Sequence, residues 1–364
     1  MFPTFLSEDS VFRRKKLAPV AYYSNPDRAF IGLRFRLAKG RLGKNAEGYD
    51  QSIQLRYSVS QNSFSTIYTG NFYELLGKWN LSLNAYYDWL IWTNFTGLGN
   101  ETRMAKEREY YRLSTSEYAI NVGANRIFKD RHFVEVAANM QGIEVFSKPN
   151  TFIADSVINE RTYYFEHHTY ANLNLAYAYQ DVDDHVLPTK GVFFYAGGGY
   201  TLNTYQPEKS FARYTGIAQV YIPLFSKFSL ALRASGMGVS GTPEFYQYVT
   251  VGGPTSVRGY HRDRFWGNVS FYNSNELRYI TGLRVRKWDN KVGLLVLFDN
   301  GRVWLDNEQS NKLHYGYGGG ILISPAAKFT LTATYTRSEE AGVVQFRMSR
   351  LLNRTPPGSR RQQR

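Results

Sequence analysis

Residues 51–60 read Gln51-Ser52-Ile53-Gln54-Leu55-Arg56-Tyr57-Ser58-Val59-Ser60. Ile53, Leu55, Tyr57 and Val59 alternate with Gln54, Arg56 and Ser58. Successive side chains of an extended chain point to opposite faces, so this stretch is a ribbon with one apolar and one polar face. The same period of two recurs at 81–89, 171–180, 228–235 and 344–349. A soluble sandwich also alternates, but its strands run about five or six residues. Here the segments run about 10 to 15, nearer the length of a tilted strand crossing a bilayer. Aromatic residues gather at segment ends, as in Tyr86-Tyr87-Asp88-Trp89, Tyr163-Tyr164-Phe165 and Phe193-Phe194-Tyr195. A bilayer interface favours them there.

Composition supports the same class. The 364 residues are 43% hydrophobic and 20% charged, with a mean hydropathy of −0.42, and no run of about 18 apolar residues exists. That excludes a bundle of membrane helices. Aromatic content of 16% excludes wholesale disorder. With no cysteine there is no disulfide, thiolate metal site or cysteine nucleophile. Lys plus Arg number 44 against 30 acids, a net charge of +14. These cations are dispersed through the alternating segments; only Arg13-Arg14-Lys15-Lys16 and the stretch from Arg360 to Arg364 cluster. Dispersed charge of this kind suits a basic lumen or lipid head groups rather than nucleic acid. The fold expected is all-β: a transmembrane antiparallel β-barrel of a bacterial outer membrane.

Strands are expected near 29–38, 50–60, 63–74, 79–92, 108–128, 131–146 and 165–181 in the first half. The second half places them near 190–204, 209–222, 227–239, 270–282, 290–304, 313–323, 327–337 and 342–351. One more, near 147–157, brings the total to about sixteen, an even number as single-chain bacterial barrels require. The organisation expected is a periplasmic lead-in over 1–28, a barrel over 29–352 and a disordered basic tail over 353–364. Met1 to Lys16 has no apolar core or cleavage site and is not a signal peptide, so export implies a start after the signal or inside a longer precursor.

The loop between the strands near 227–239 and 270–282 carries Val251-Gly252-Gly253-Pro254-Thr255-Ser256-Val257-Arg258-Gly259-Tyr260, then Arg262, Asp263, Arg264 and Gly267. Three other elements accompany it. They are Asp184-His185-Val186-Leu187-Pro188-Thr189-Lys190-Gly191, Asn275-Glu276-Leu277-Arg278, and Leu297-Phe298-Asp299-Asn300-Gly301-Arg302-Val303-Trp304. The four, in this order, resemble the BamA/TamA and two-partner-secretion transporter superfamily, also called bacterial surface antigen. The resemblance is strongest over 182–351, and the chain carries no periplasmic receptor domains of that family.

Gly252, Gly253 and Gly259 permit the backbone angles of a loop that folds back into a lumen. An enclosed arginine needs acceptors, and its planar fork suits a carboxylate. The resemblance makes Val257, Arg258, Gly259 and Tyr260 an inward-folded extracellular loop, and Glu276 and Asp299 the partners of Arg258. Alternation agrees: with Leu277, Tyr279, Leu294, Val296 and Phe298 outward, Glu276, Arg278 and Asp299 point inward. The family works through a weakly paired seam between first and last strands. The expected seam strands are 29–38 and 342–351, marked by Gly32, Gly342 and Phe346. Phe346 is followed by Arg350-Leu351-Leu352 and a polar tail rather than a terminal aromatic residue.

Other candidates are weaker. His167 and His168 are adjacent, face opposite sides of a strand and do not share a metal; no metal site or cofactor is expected. Gly316-Tyr317-Gly318-Gly319-Gly320 relieves crowding or bends a barrel wall. No catalytic motif marks an enzyme. The resemblance implies a Gram-negative outer-membrane protein that inserts or translocates other proteins. Its expected partners are outer-membrane lipid and lipopolysaccharide, client outer-membrane or secreted proteins, and a larger outer-membrane complex. The alternatives are the anchor or export half of a polypeptide carrying an N-terminal metallophosphoesterase-like or patatin-like enzyme, and a subunit docking on an assembly complex.

Overall fold

The computed structural model describes residues 11–24, 28–41, 48–156, 165–285, 288–306, 308–327 and 329–349. The first eight strands are β1 (Val11–Ser24), β2 (Arg28–Arg41), β3 (Gly48–Ser58), β4 (Ser63–Leu76), β5 (Trp79–Asn94), β6 (Arg112–Phe128), β7 (His132–Phe146) and β8 (His167–Val182). Then come β9 (Gly191–Asn203), β10 (Phe211–Pro223), β11 (Phe228–Gly241), β12 (Val249–Val251) and β13 (Phe265–Gly267). The last five are β14 (Val269–Val285), β15 (Trp288–Trp304), β16 (His314–Ser324), β17 (Thr330–Arg337) and β18 (Gly342–Ser349). Sixteen of them form one sheet in chain order from β1 to β11 and on through β14 to β18, while β12 and β13 pair separately. Among the described residues no helix is long and apolar enough to cross a membrane.

The faces of this sheet are inverted relative to a water-soluble protein. On β3, Leu55 is 45% exposed and its neighbour Arg56 only 8%. On β15, Leu294, Val296 and Phe298 are exposed while Asp299 is fully buried. On β18, Val344, Phe346 and Met348 are exposed and Gln345 is buried. Long rows of Leu, Val and Tyr turned outward are stable only in an apolar solvent, because exposed apolar area costs roughly 25 cal/mol per Å² in water.

Two expectations need correction. The sheet begins at β1 rather than near residue 29: Val11 to Ser24 pair antiparallel with Arg41 to Arg28, so half of the expected 1–28 lead-in is a strand. The run Arg13 to Lys16 hides it from a hydropathy reading, yet the backbone ladder to β2 forms through it. The supposed strand near 147–157 is instead a loop with the short helix α1 (Phe152–Ser156), where Phe152 packs on Tyr110 and Tyr111. The count of sixteen therefore stands with one strand exchanged for another. The tail 353–364 lies outside the described residues.

The chain divides into two compact units. The first comprises 1–93, 107–176 and 199–212. Inside it the Arg56 guanidinium donates to Ser65 Oγ at 2.6 Å and lies 3.4 Å from Asp88. His167 is exposed and His168 fully buried beside Tyr170, as opposite faces of one strand require. The second unit comprises 94–106, 177–198 and 213–364. Its apolar cluster is Leu187, Leu295, Leu297 and Leu322, with Ile280 against it.

Candidate functional site

Between β11 and β14 the chain leaves the sheet for residues 242–268. The β12–β13 ribbon, in register Val249↔Gly267 and Val251↔Phe265, gives this excursion a stem. Its tip turns on Gly252, Gly253 and Gly259, whose φ values are +118°, +106° and +102°, a region costly for residues with a Cβ. Ser256 Oγ accepts from Gly252 N at 2.9 Å, and the Ser256 carbonyl accepts from Ser274 Oγ at 2.7 Å. Ser338 Oγ donates to the Gly259 carbonyl at 2.8 Å. The tip therefore lies against the buried face of β14 to β17.

Arg258 is the centre of this contact. Its Nε and Nη2 donate to Oδ2 and Oδ1 of Asp299, both at 2.7 Å, in a bidentate fork. The Arg258 backbone N–H adds a bond to Asp299 Oδ2 at 3.0 Å, and Nη1 donates to Glu276 Oε1. The Arg258, Glu276 and Asp299 side chains are 5%, 7% and 0% exposed. Glu276 also accepts from Arg278 Nε at 2.7 Å and has Arg347 of β18 at 3.5 Å. Burial alone disfavours the charged guanidinium, but the hydrogen bonds to Asp299 and the charge of Glu276 outweigh it, holding Arg258 protonated above its ordinary range.

A cleft in the sheet's side chains admits the loop. Gly316 of β16 stands opposite Asp299, and a Cβ there would collide with the Arg258 carbonyl oxygen. Gly301 likewise faces the Val257 side chain. The glycines of 316–320 thus include one whose missing side chain is where the loop sits. Beyond the tip, Tyr260 and Val257 are buried. Tyr260 meets Phe265 edge-on at 5.2 Å, and Phe265 stacks on His314 at 3.5 Å. Burial, with Glu340 and Glu339 nearby, pushes the Tyr260 hydroxyl up to about 12.

A second arginine anchors the loop's return, and sequence reading gave it no role. Arg264, fully buried, donates to Thr96 Oγ1 and Thr102 Oγ1, each at 2.7 Å, and to the Thr102 carbonyl at 2.6 Å. It also pairs with Glu340 at 2.6 Å. Trp266 Nε1 donates to the Asn94 carbonyl at 3.0 Å, and Asn94 Nδ2 donates to the Arg262 carbonyl at 2.7 Å. Segment 94–106 carries no periodicity, and nothing in one sequence signals that Thr96 and Thr102 meet a residue 168 and 162 positions away.

The motif at 184–191 builds a turn. Asp183 Oδ1 accepts from the N–H groups of Asp184, Thr189 and Lys190, and Thr189 Oγ1 donates to its Oδ2. Asp184 Oδ1 accepts from Val186 N, and Lys291 Nζ lies 2.6 Å from its Oδ2. Burial raises Asp184, but Lys291 and the Val186 and Leu187 N–H groups outweigh it, so its carboxyl is held below the ordinary value.

Gly32 lies in β2, which pairs with β1 and β3, so it is not on a terminal strand of the sheet order. The expected first seam strand, 29–38, is therefore the second strand of the sheet order, after β1. Gly342 and Phe346 lie on β18, the last strand, with Phe346 79% exposed. Among the described residues no group of three His, Asp or Glu side chains could hold a metal ion.

Sixteen antiparallel strands with exposed apolar rows, and a glycine-jointed loop clamped by buried acids, define a β-type membrane protein. Residues 45–350 match the Omp85 superfamily domain, and the chain belongs to that family, as its four ordered motifs imply. It is an outer-membrane protein of a Gram-negative bacterium. Among solved structures it is similar to BamA from Haemophilus ducreyi lacking POTRA domains 1–3, at 14% identity and a TM-score of 0.62. That likeness covers 92% of this chain and 70% of the other. It is similar to CdiB from Escherichia coli at 12% identity and a TM-score of 0.53, covering 92% of this chain and 66% of CdiB. For CdiB from Acinetobacter baumannii the values are 12% and 0.50, covering 93% and 65%. The chain thus spans just under two thirds of either CdiB. No curated protein matches it.

Proposed function

We propose that the chain is the membrane-embedded part of a protein insertion or secretion machine, and that Arg258 holds its loop docked during the working cycle. The observation that carries this reading is the fork from Arg258 to Asp299 with Glu276 closing the third side. A buried cation with two acids is held in one geometry and strongly resists partial release. Client outer-membrane or secreted proteins are its partners, and outer-membrane lipid with lipopolysaccharide covers the exposed rows. The seam of this reading runs between β1 and β18. Pro19 in β1 removes one donor N–H from that strand, a residue tolerated chiefly on sheet edges. A strand with unpaired edge groups templates an incoming strand.

The test uses the purified protein in bilayers with a urea-unfolded outer-membrane barrel precursor. Specific, saturable capture of the precursor, reduced in Arg258→Ala, is the expected result. A protein that captures none acts instead as an anchor or export half of a longer polypeptide. Single cysteines walked along residues 17–21 and 344–348 should form disulfides across the seam; if no pair bridges under oxidation, the seam is rejected.

A further inference from the structure

Behind the Arg258 clamp lies a cavity of about 50 Å³, bounded by β10, β11, the loop, β14 and β18. At about 10–15 Å³ of such space per water, it holds roughly four waters, or one tetrahedral oxyanion. Its lining carries four guanidinium groups, Arg233, Arg258, Arg278 and Arg347, and a single carboxylate, Glu276. Asp299, on the far side of Arg258, is the other acid within this set. Four cations against two acids leave an excess of two positive charges.

The donors are unevenly spent. Arg258 and Arg278 are committed to Asp299 and Glu276. Arg347 has Glu276 at 3.5 Å, a long contact shared with the other two. Arg233 stacks its guanidinium over Tyr272 at 5.5 Å, and its buried Nε has no hydrogen-bond partner among the described residues. Like charges set side by side repel, and a buried donor without an acceptor is costly. A counter-ion would offset the charge excess and supply the missing acceptor.

We propose that this cavity is a binding site for a small free oxyanion of the phosphate class, held chiefly by Arg233 and Arg347. The planar fork of arginine matches two oxygens of such an ion. The bound ion bridges β11 to β18 and lowers the repulsion on the Arg258 clamp, so it stabilises the docked loop. This assignment is independent of whether the chain handles client proteins, because it concerns the folded protein alone.

The experiment titrates inorganic phosphate into the purified full chain in phospholipid-free, uncharged detergent micelles. Chloride at equal ionic strength is the control, with Tm and calorimetric heat as readouts. The expected result is a saturable rise in Tm with phosphate alone, and roughly tenfold weaker binding in Arg233→Gln. Arg233→Lys keeps the charge without the fork and should fall between the two, which covers a Gln variant that fails to fold. Equal effects of phosphate and chloride would overturn the site, as would unchanged phosphate binding in both Arg233 variants. A second arm offers a short-chain phosphatidylglycerol; saturation by it and not by phosphate would overturn the assignment to a free ion.

Discussion

Arg258 commits three guanidinium nitrogens and its own backbone N–H to two carboxylates. Removing it leaves Asp299, with no exposed surface, without its bidentate partner. Arg258→Ala is expected to destabilise the fold by about 3 kcal/mol, the low end for breaking a buried pair, because Glu276 retains Arg278 and Arg347. Urea unfolding from micelles measures it. Arg258→Lys keeps the charge but not the fork and should lose less. Gly316→Ala should act like Arg258→Ala, since its Cβ meets the Arg258 carbonyl, whereas Gly216→Ala, with open space around it, should be neutral. Protease susceptibility within 252–264 distinguishes an expelled loop from general unfolding. The partners Glu276 and Asp299 were implied by the family resemblance, and alternation agreed by placing both on the inward face. Arg264 was not, since its acceptors at 96 and 102 are brought to it only by the fold.

At the scale of elements, the turn from β8 to β9 links Asp184 to Lys291 of β15. Asp184 is held below its ordinary value in the folded protein, so it contributes stability above the unfolded carboxylate pKa near 4. That contribution fades as pH falls through the lower folded value. Asp184→Asn should therefore flatten the acid limb of a stability–pH curve below about pH 4, and leave the neutral region lower than in the parent. Thermal unfolding between about pH 2 and 7 measures both parts. Most strands were legible from their period of two. β1 was not: Arg13, Arg14, Lys15 and Lys16 occupy both faces in succession, and charge masks alternation. Its place is seen only in the backbone ladder to β2.

For the whole molecule, the decisive quantity is the sign of the burial pattern. Val296 is 63% exposed and lies between Leu294 and Phe298 on the outward row of β15. Val296→Arg is expected to weaken folding into lipid vesicles by about 2–4 kcal/mol if the row meets the bilayer midplane. The neutral change Val296→Leu should be silent. Urea titration of vesicle-folded protein measures the difference, and an unaffected Arg variant would mean that the row does not face hydrocarbon.

By itself the sequence determined the all-β class, the two-faced strands and the four motifs of the Omp85 superfamily. These are local properties: a period of two and short runs of fixed spacing survive in one dimension. Only the tertiary structure decided that β1 opens the sheet, that Gly316 vacates the space Arg258 fills, and that Arg264 reaches Thr96, Thr102 and Glu340. Such contacts join residues distant along the chain, and no periodicity records a distance that exists only after folding.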